Sequence, residues 1–469
     1  MARPESLTRD LADFLAGLSG RVDGRLLARS TDALIDTLGC MAFGASQPWS
    51  QAAIAHGLAT GGEGSATVVG HRAKTTPAMA AFANGASAHA FELDDVHEEA
   101  ISHPGAVVVA AALALAEESG VTSLDLSEAI VIGYEAMGRA GIAVGPAAHM
   151  LAGFHPTSMS GVFGSAAAAG RLLGFDAARL NHAFGVAVSL ASGTMEFAAS
   201  GGMAKRMHAG RAAEAGLLAA SLAAHGFEGA ADGLAGRYGF CNVFGTAPAT
   251  ELLTEALGSR WMIDEITVKP YAACSDIHPL IQATAELRAE HRLTAGQIDR
   301  IEAECPTKAA TQNSMDGTTS VMAAQYSAQF NIAAAILADP GDPATYGPER
   351  IGCPAIADLQ ARVVSLRAAE QFDETYAKKM GGGVRIFLRS GEVLERTVHG
   401  QWGSMHDPLS PQQIDAKFAS LVSGSAATDL AATLRSHLAD PSRPVRGMLR
   451  RIGVESESKQ LLPREKVQP

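Results

Sequence analysis

The chain has 469 residues, which is more than a single hydrophobic core usually serves, so two domains are expected. Hydrophobic residues make up 47% of the chain and charged residues 18%, as is typical of globular proteins. The formal net charge of −12 argues against nucleic acid or an anionic membrane as the main partner. An anionic small molecule would therefore need a pocket that is locally positive.

Cysteine usage and the N-terminal segment indicate a cytoplasmic protein. The five cysteines are an odd number and lack CxxC spacing, which favours a reducing compartment without a disulfide framework or a zinc knuckle. The segment LTRDLADFLAGL at residues 7–18 predicts an amphipathic helix with charges inside it, not a signal peptide. No uninterrupted apolar run reaches the roughly 18 residues of a membrane span.

From residue 5 to about 260 the sequence predicts one helix after another. Apolar residues recur at three- and four-residue spacing, or fill the segment almost completely. The predicted helices include Arg25–Phe43, Gly105–Gly120, Ser123–Val144 and Gly161–Gly174. Thr76 before Pro77 predicts a further helix start, with a capping hydroxyl and a Pro in the first turn. Only Ala66–Val69 resembles a strand in this region.

The pattern changes after residue 262 to alternating strands and helices. The predicted strands are Ile263–Val268, Arg300–Cys305, Arg362–Leu366, Val384–Leu388 and Val393–Val398, the last two joined by a Ser390-Gly391 hairpin. The predicted helices between them are Pro279–His291, Ala323–Leu337 and Ala355–Gln360. Helices return at Pro411–Leu421 and Ala426–Leu438.

The predicted fold class is therefore mainly α, a large all-helical domain with a smaller inserted α+β domain. We expect the helical domain at residues 1–262 and the α+β domain at residues 263–403. Residues 404–455 should return to the helical domain. The polar, Pro-containing tail at residues 456–469 is expected to be disordered.

The dipeptide His-Pro occurs three times, where the composition predicts fewer than one occurrence. The pairs are His103-Pro104, His155-Pro156 and His278-Pro279, and each directly precedes a predicted helix. Each His is thus expected at a helix N-terminus, where free backbone N–H groups and the helix dipole attract anions. An imidazole there can also move a proton near pH 7. Three such ends meeting together would bind a polycarboxylate; the alternative is three ordinary helix starts.

A dense acidic segment, ELDDVHEE at residues 92–99, lies upstream of His103. Carboxylates this close repel one another, so one of them can keep its proton to unusually high pH, which suits a general acid or base. The alternative is a solvated acidic loop or helix end. A divalent metal site is not expected, because neither HExxH nor EF-hand spacing is present.

Positive charge is sparse in the helical half, which makes Lys205-Arg206 in GGMAKRMHAG informative. Flanking glycines allow the backbone to approach a ligand. Lys205 is the candidate for binding a substrate carboxylate or stabilising an enediolate, with Arg206 and His208 as nearby alternates. The alternative is a basic pair on the surface.

Three residues of the second domain would face the helical domain across a cleft, where ligands commonly bind. Lys269 ends the first predicted strand, nine residues before His278. Cys274 lies between them. It could be a nucleophile, although a small buried thiol is the simpler interpretation.

Four of these segments resemble the MmgE/PrpD family. They are ASAHAFELDDVHEEAISHP at residues 86–104, HPTSMSGVFG at 155–164, GTMEF with KRMHAG at 193–197 and 205–210, and VKPYAACSDIHP at 268–279. The resemblance runs in order from about residue 5 to 440. It implies a large helical domain, an inserted α+β domain and a homodimer. The activities that it implies are dehydration of 2-methylcitrate, decarboxylation of cis-aconitate or epimerisation of iminodisuccinate, without an organic cofactor.

The resemblance also implies site residues. The family's acidic motif falls on Glu92, Asp94 and Asp95, its pocket histidines on His103 and His155, and its lysines on Lys205 and Lys269. Two positions depart from the decarboxylase pattern, which has a His in place of Cys274 and a Tyr near Phe330, in the stretch QYSAQFNIAAAIL. Cys274 is closer to the epimerase pattern. The segment around His103 also differs from the tryptophan-containing version of the methylcitrate dehydratases.

The resulting hypothesis is proton transfer at a carbon beside a carboxylate of a small di- or tricarboxylate such as 2-methylcitrate. Lys205 and Lys269 would bind carboxylates, His103 and His155 would carry protons, and Asp94 with Asp95 would tune the transfer. His278 would complete the pocket. A dehydratase is the first expectation. The alternatives are an epimerase, a cis-aconitate-type decarboxylase and a non-catalytic carboxylate-binding relative.

Overall fold

The structure is a computed structural model that describes residues 6–197, 202–314, 317–422 and 427–451. The predicted fold class is confirmed, because the chain is mainly α with a small sheet region. The tail after residue 455, predicted to be disordered, lies outside the described residues. None of the helices in the described ranges combines the length and apolarity that a membrane span requires.

Helices make up most of the described residues between positions 6 and 265. The α-helices are Leu7–Ala16, Gly24–Gly44, Pro48–Thr60, Pro77–Ala88, Ala110–Ser119, Ser123–Ala143, Pro146–Leu151, Pro156–Leu172, Ala177–Ala187, Ala204–Ala224 and Phe240–Phe244. Shorter 3-10 turns are Val188–Leu190, Thr250–Leu253 and Met262–Glu265. The predicted helix at Gly105 begins with a π turn, Gly105–Val109, before the α-helix continues.

The second part carries the sheet and shorter helices. Its helical segments are Ser275–Ile277, His278–His291, Ala295–Gln297, Thr307–Gln312, Val321–Tyr326, Ala328–Leu337, Pro343–Tyr346, Pro348–Ile351, Pro354–Ala361 and Glu370–Asp373. The sheet has the order Val363–Ala368, Ile298–Cys305, Gly382–Leu388, Val393–Val398; the first pair is parallel and the others antiparallel. Three C-terminal helices follow, at Pro411–Leu421, Ala427–Leu438 and Met448–Arg451.

The hydrophobic residues form two main cores. The first contains buried residues from Leu11 to Ile263 and again from Leu409 to Leu449, so the C-terminal helices pack with the N-terminal ones. The second is built mainly from residues between Tyr271 and Val398. The acidic loop that precedes His103 contributes to this second core, and it therefore lies where the two cores meet.

Close helix packing positions the site. The helices Pro77–Ala88 and Ala204–Ala224 touch at Gly85 and Gly210. A Cβ at Gly210 would lie 2.1 Å from the Phe82 carbonyl oxygen, so only glycine permits this approach. The contact brings the start of the second helix, which carries Lys205, beside the acidic loop that follows the first.

Three predicted elements differ in the structure. The predicted strand Ile263–Val268 is a 3-10 turn followed by the two-residue strand Ile266–Thr267, because only these residues pair with Val96–His97. Ala66–Thr67 is likewise limited to a pairing with Lys74–Thr75. The predicted helix Ala323–Leu337 is divided at Ser327, whose hydroxyl caps a new helix by accepting from the Phe330 amide.

Candidate active site

The acidic segment of residues 92–99 forms a buried loop between the two cores, not a solvated one. Glu92, Asp94 and Asp95 are each at most 2% exposed. Glu92 adopts φ +57°, a left-handed conformation that is strained for a non-glycine residue. Such strain persists where the surrounding contacts hold it in place, and here the contacts are ionic.

Three cations surround the Glu92 carboxylate. Its Oε1 accepts from Lys205 Nζ and, at 3.2 Å, from Arg206, and its Oε2 lies 3.4 Å from Lys269 Nζ. Burial alone would raise the pKa of Glu92, but the three cations hold that pKa well below its usual range. One carboxylate against three cations leaves a local excess of positive charge inside a chain that is acidic overall. This is the locally positive site that an anionic ligand requires.

Tyr326 belongs to the same cluster and was missed by the sequence analysis. Its hydroxyl accepts from Lys205 Nζ at 2.7 Å and lies 3.3 Å from Glu92 Oε1. The break of the predicted helix at Ser327 places Tyr326 at the last position of a short helix. The decarboxylase pattern has a tyrosine near Phe330. In this chain Tyr326, four residues earlier in the same stretch, supplies the hydroxyl.

Four imidazoles and one carboxylate form a second cluster beside the first. His89 Nδ1 lies 2.6 Å from Asp94 Oδ2, and His103 Nδ1 lies 3.3 Å from the same oxygen. The ring centroids of His89 and His155 are 5.8 Å apart, and those of His155 and His208 are 5.1 Å apart. His89 closes this chain of rings, although the sequence analysis did not select it.

Hydrogen bonding fixes which nitrogen of His103 carries the proton. Its Nδ1 lies 2.7 Å from the backbone oxygen of Asp95, which can only accept, so Nδ1 is the donor. The neutral ring then has a free lone pair on Nε2. Burial lowers the pKa of His103 to about 3, although Asp94 opposes this shift. His103 is therefore a neutral base at pH 7 with a carboxylate beside it that would stabilise the imidazolium.

Burial also keeps the neighbouring rings neutral. It lowers the pKa of His155 well below its ordinary value and that of His208 to about 4, and nearby positive charges add to both effects. The pKa of Asp94 is lowered as well, but for a different reason: burial would raise it, and His89 and His103 hold it below its usual range. His103, His155 and His208 are thus neutral bases close to one ionised carboxylate.

Both clusters reach a single cavity of about 560 Å³. Six of the predicted site residues line it: Glu92, His103, His155, Lys205, Lys269 and Cys274. Glu98, Asp276, Lys308 and Tyr326, which the sequence analysis did not select, line it as well. A larger and more open groove of about 930 Å³ lies alongside and shares Glu98 and Ile101 with the cavity.

Four other predicted residues lie behind those that line the cavity. Asp94 contacts His103, and His208 contacts His155. Arg206 reaches Glu92 with its guanidinium 5.3 Å from the Trp49 ring centroid. The fourth, Asp95, accepts from His103 Nδ1 with its backbone oxygen. These residues therefore influence the cavity indirectly, through the lining residue that each of them contacts.

The prediction that His278 completes the pocket is not met by the structure. His278 is the first residue of its helix and is fully buried. Its Nε2 lies 3.1 Å from the Ala273 backbone oxygen, and its ring packs 5.2 Å from that of Tyr271. A short 3-10 turn, Ser275–Ile277, separates His278 from Cys274, and the cavity is lined by Cys274, Ser275 and Asp276.

The prediction of a free anion-binding helix end at His103-Pro104 needs correction. The Gly105 amide donates at 2.8 Å to Asp95 Oδ1, and Tyr134 donates at 2.6 Å to Asp95 Oδ2. The helix start therefore binds a carboxylate of its own chain. Burial raises the pKa of Asp95 to about 7, so the shift expected from crowded carboxylates comes mainly from desolvation.

One group has the composition of a metal site. Ligand atoms of His89, Asp94 and His103 all lie within 4.8 Å of one another. The Nδ1 atoms of both imidazoles already have oxygen partners, at 2.6 Å for His89 and 2.7 Å for His103. This geometry is that of two histidines oriented by hydrogen bonds.

The comparisons with known proteins agree with this architecture. Residues 9–253 match the MmgE/PrpD N-terminal domain and residues 271–438 the MmgE/PrpD C-terminal domain. The chain is 29% identical over 418 residues to a cis-aconitate decarboxylase of Aspergillus terreus, covering 84% of this chain and 85% of that protein. It is 28% identical over 431 residues to the human cis-aconitate decarboxylase, covering 88% and 87%. This chain belongs to the MmgE/PrpD family.

Proposed function

We propose that this chain is a lyase that acts on a small di- or tricarboxylate by proton transfer at a carbon beside a carboxylate, without an organic cofactor. One observation carries the proposal: a neutral imidazole base and a cationic cluster line the same cavity. The relatives named cis-aconitate decarboxylase support a reaction of this class.

The mechanism follows from how weak such a carbon acid is. Removing its proton creates an enediolate, whose negative charge must be stabilised by fixed positive charge and hydrogen-bond donors. Lys205 and Lys269 supply that charge, and the Tyr326 hydroxyl supplies a donor. His103 takes the proton on Nε2, and Asp94 stabilises the resulting imidazolium. His155 is the second proton carrier at the same cavity.

Dehydration is the first candidate among the possible outcomes. Its initial step is proton removal, and His103, whose Nδ1 proton is held by the Asp95 backbone oxygen, has an unprotonated Nε2 to accept that proton. The enediolate then forms the C=C bond as the hydroxyl on the adjacent carbon takes up the proton held by His103, directly or through His155, and leaves as water. A hydroxy acid such as 2-methylcitrate has both the acidic C–H and the leaving hydroxyl.

Decarboxylation of a substrate like cis-aconitate is the second candidate. Two observations favour it: the names of the relatives, and the Tyr326 hydroxyl, which lies beside Lys205 in the stretch where the decarboxylase pattern has a tyrosine. One observation opposes it, since Cys274 stands where the decarboxylase pattern has a histidine. Burial raises the pKa of this thiol to about 11, so it is a poor substitute for an imidazole acid.

Proton NMR in deuterated water tests the proposal with 2-methylcitrate, citrate, cis-aconitate and tartrate. New vinyl protons with retained carboxylates would indicate a dehydratase, and loss of CO₂ a decarboxylase. Deuterium incorporation without net turnover would indicate an epimerase. Binding without any of these signals would contradict the proposed function and favour a carboxylate-binding relative.

A further inference from the structure

A second charged cluster lies on the cavity wall that residues 274–313 provide. Lys308 Nζ is 3.1 Å from Asp276 Oδ2, and the Tyr376 hydroxyl donates at 3.3 Å to Asp276 Oδ1. The Cys274 thiol lies 3.7 Å from Asp276 Oδ2. Cys274, Asp276 and Lys308 all line the cavity that also contains Lys205. The Lys308–Asp276 pair is therefore part of the site, yet the proposed proton transfer does not use it.

Lys308 is the most accessible of the three lysines that line the cavity. Its side chain is 18% exposed, compared with 5% for Lys205 and 1% for Lys269. The other two face the Glu92 carboxylate. The carboxylate beside Lys308 is shared, because Asp276 also has Tyr376 and Cys274 as neighbours. An ammonium group has three N–H donors, so Lys308 can bind an oxygen of a ligand while it keeps its contact with Asp276.

Burying most of the Lys308–Asp276 ion pair also costs free energy, and the packing of the fold does not explain why this pair is present. Removing two charges from water costs several kcal/mol, and a pair of apolar residues often stabilises a protein equally well. For an ion pair that lines a ligand cavity, this cost is offset if one of its charged groups binds a charged ligand. Cys274 lies next to Asp276 and lines the same cavity as Glu92 and Lys269, so the two clusters face one substrate-sized space.

We propose that Lys308, which pairs with Asp276 but keeps N–H donors for a ligand, is a second carboxylate-binding subsite, which selects substrates that carry a carboxylate at each end. This inference rests on the proposed function and specifies its substrate class. One terminal carboxylate binds at Lys205 and Lys269, where the chemistry occurs. The other binds Lys308, so the carbon skeleton spans the cavity and its inner C–H faces His103.

Calorimetric binding of propane-1,2,3-tricarboxylate and of its single-end amide tests the subsite without requiring turnover. The wild-type chain should prefer the triacid. Lys308→Met should weaken triacid binding about tenfold, the value of one charged hydrogen bond, and leave binding of the amide unchanged. Lys308→Arg should retain the preference. Asp276→Asn should tighten triacid binding, because it releases Lys308 from its internal partner.

Lys74→Met is the matched control, since Lys74 bonds the Ser65 carbonyl and does not line the cavity. Circular dichroism establishes that each variant is folded. A Lys308→Met variant that keeps the triacid preference, or loses both ligands equally, would overturn the subsite while leaving the proposed function intact. If Lys308→Met does not fold, weaker triacid binding by Asp276→Asn would overturn it. A wild-type chain that binds neither ligand would overturn both proposals.

Discussion

The Nδ1 atoms of His155 and His208 lie 3.0 Å apart, so one neutral ring donates an N–H hydrogen bond to the other. If His208 is the donor, His155 keeps its own proton on Nε2; if His155 is the donor, its Nε2 is free to accept one. The tautomer of His208 is thereby coupled to that of His155, which lines the cavity. His208 lies on the helix that also carries Lys205, so one helix positions the ring behind His155 and the ammonium beside Glu92.

The role of His208 is therefore one of positioning, and its replacement should have a moderate effect. We expect His208→Ala to lower kcat about tenfold, because His155 loses the partner that orients it. His208→Gln, which can still form one hydrogen bond, should recover part of the activity. Steady-state kinetics across pH 6–9 provides the measurement. A KM effect with unchanged kcat in both variants would contradict the positioning role.

Lys205 and His155 should matter far more. We expect Lys205→Ala and His155→Ala each to reduce kcat about a hundredfold or more, since one stabilises the developing charge and the other carries a proton. Glu92 keeps Arg206 and Lys269 as partners in the lysine variant, so the fold should survive. Near-normal turnover in both variants would contradict the roles proposed for Lys205 and His155. Lys74→Ala and His225→Ala, away from the cavity, are the matched controls.

Glu98 should make stability depend on pH in a direction opposite to most carboxylates. Burial raises its pKa from 4.5 to about 7, so the folded state binds a proton that the unfolded state has released between these values. This contribution to stability is present at low pH and is lost as the pH rises towards 7. Glu98→Gln should therefore stabilise the protein by about 3 kcal/mol more at pH 8.5 than at pH 5, as urea unfolding would measure. An equal effect at both values would contradict the raised pKa.

His278 should contribute to acid sensitivity and not to catalysis. Burial lowers its pKa from 6.5 to about 3, so below pH 6.5 the unfolded state gains a proton that the folded state does not. Stability present above pH 6.5 is then lost as the pH falls. We expect His278→Gln to reduce the loss between pH 7.5 and 5.5 by about 1 kcal/mol and to retain kcat within a few-fold. A hundredfold loss of kcat would restore His278 to the catalytic residues.

Local sequence signals identified the charged residues of the site. They did not identify His89 and Tyr326, which the tertiary structure places beside those charged residues. Lys205, Lys269 and Glu92 were selected separately, and they meet around one carboxylate. His89 precedes the acidic motif without a Pro or a charged neighbour, so nothing local marked it. Tyr326 was hidden inside a predicted helix that Ser327 divides. Both would have required knowledge of contacts between distant segments.

The same limit applies to the elements that were wrong. Ile263–Val268 has the residues of a strand, but a strand needs a partner, and only Val96–His97 is available there. The His-Pro signal located helix starts correctly at His155 and His278. It could not show that Asp95 would fill the start after His103 or that His278 would face a core. Those outcomes depend on which groups the fold brings opposite each helix end.

Exchange of the C–H proton beside a substrate carboxylate shows directly whether the imidazoles of the cavity remove that proton. Wild-type protein in deuterated water should incorporate deuterium into a bound polycarboxylate or its product, as proton NMR would detect. His103→Gln should still bind the acid, because the cationic cluster around Glu92 is intact, and should lose exchange by about a hundredfold or more. Undiminished exchange in His103→Gln and in His155→Ala would contradict the account.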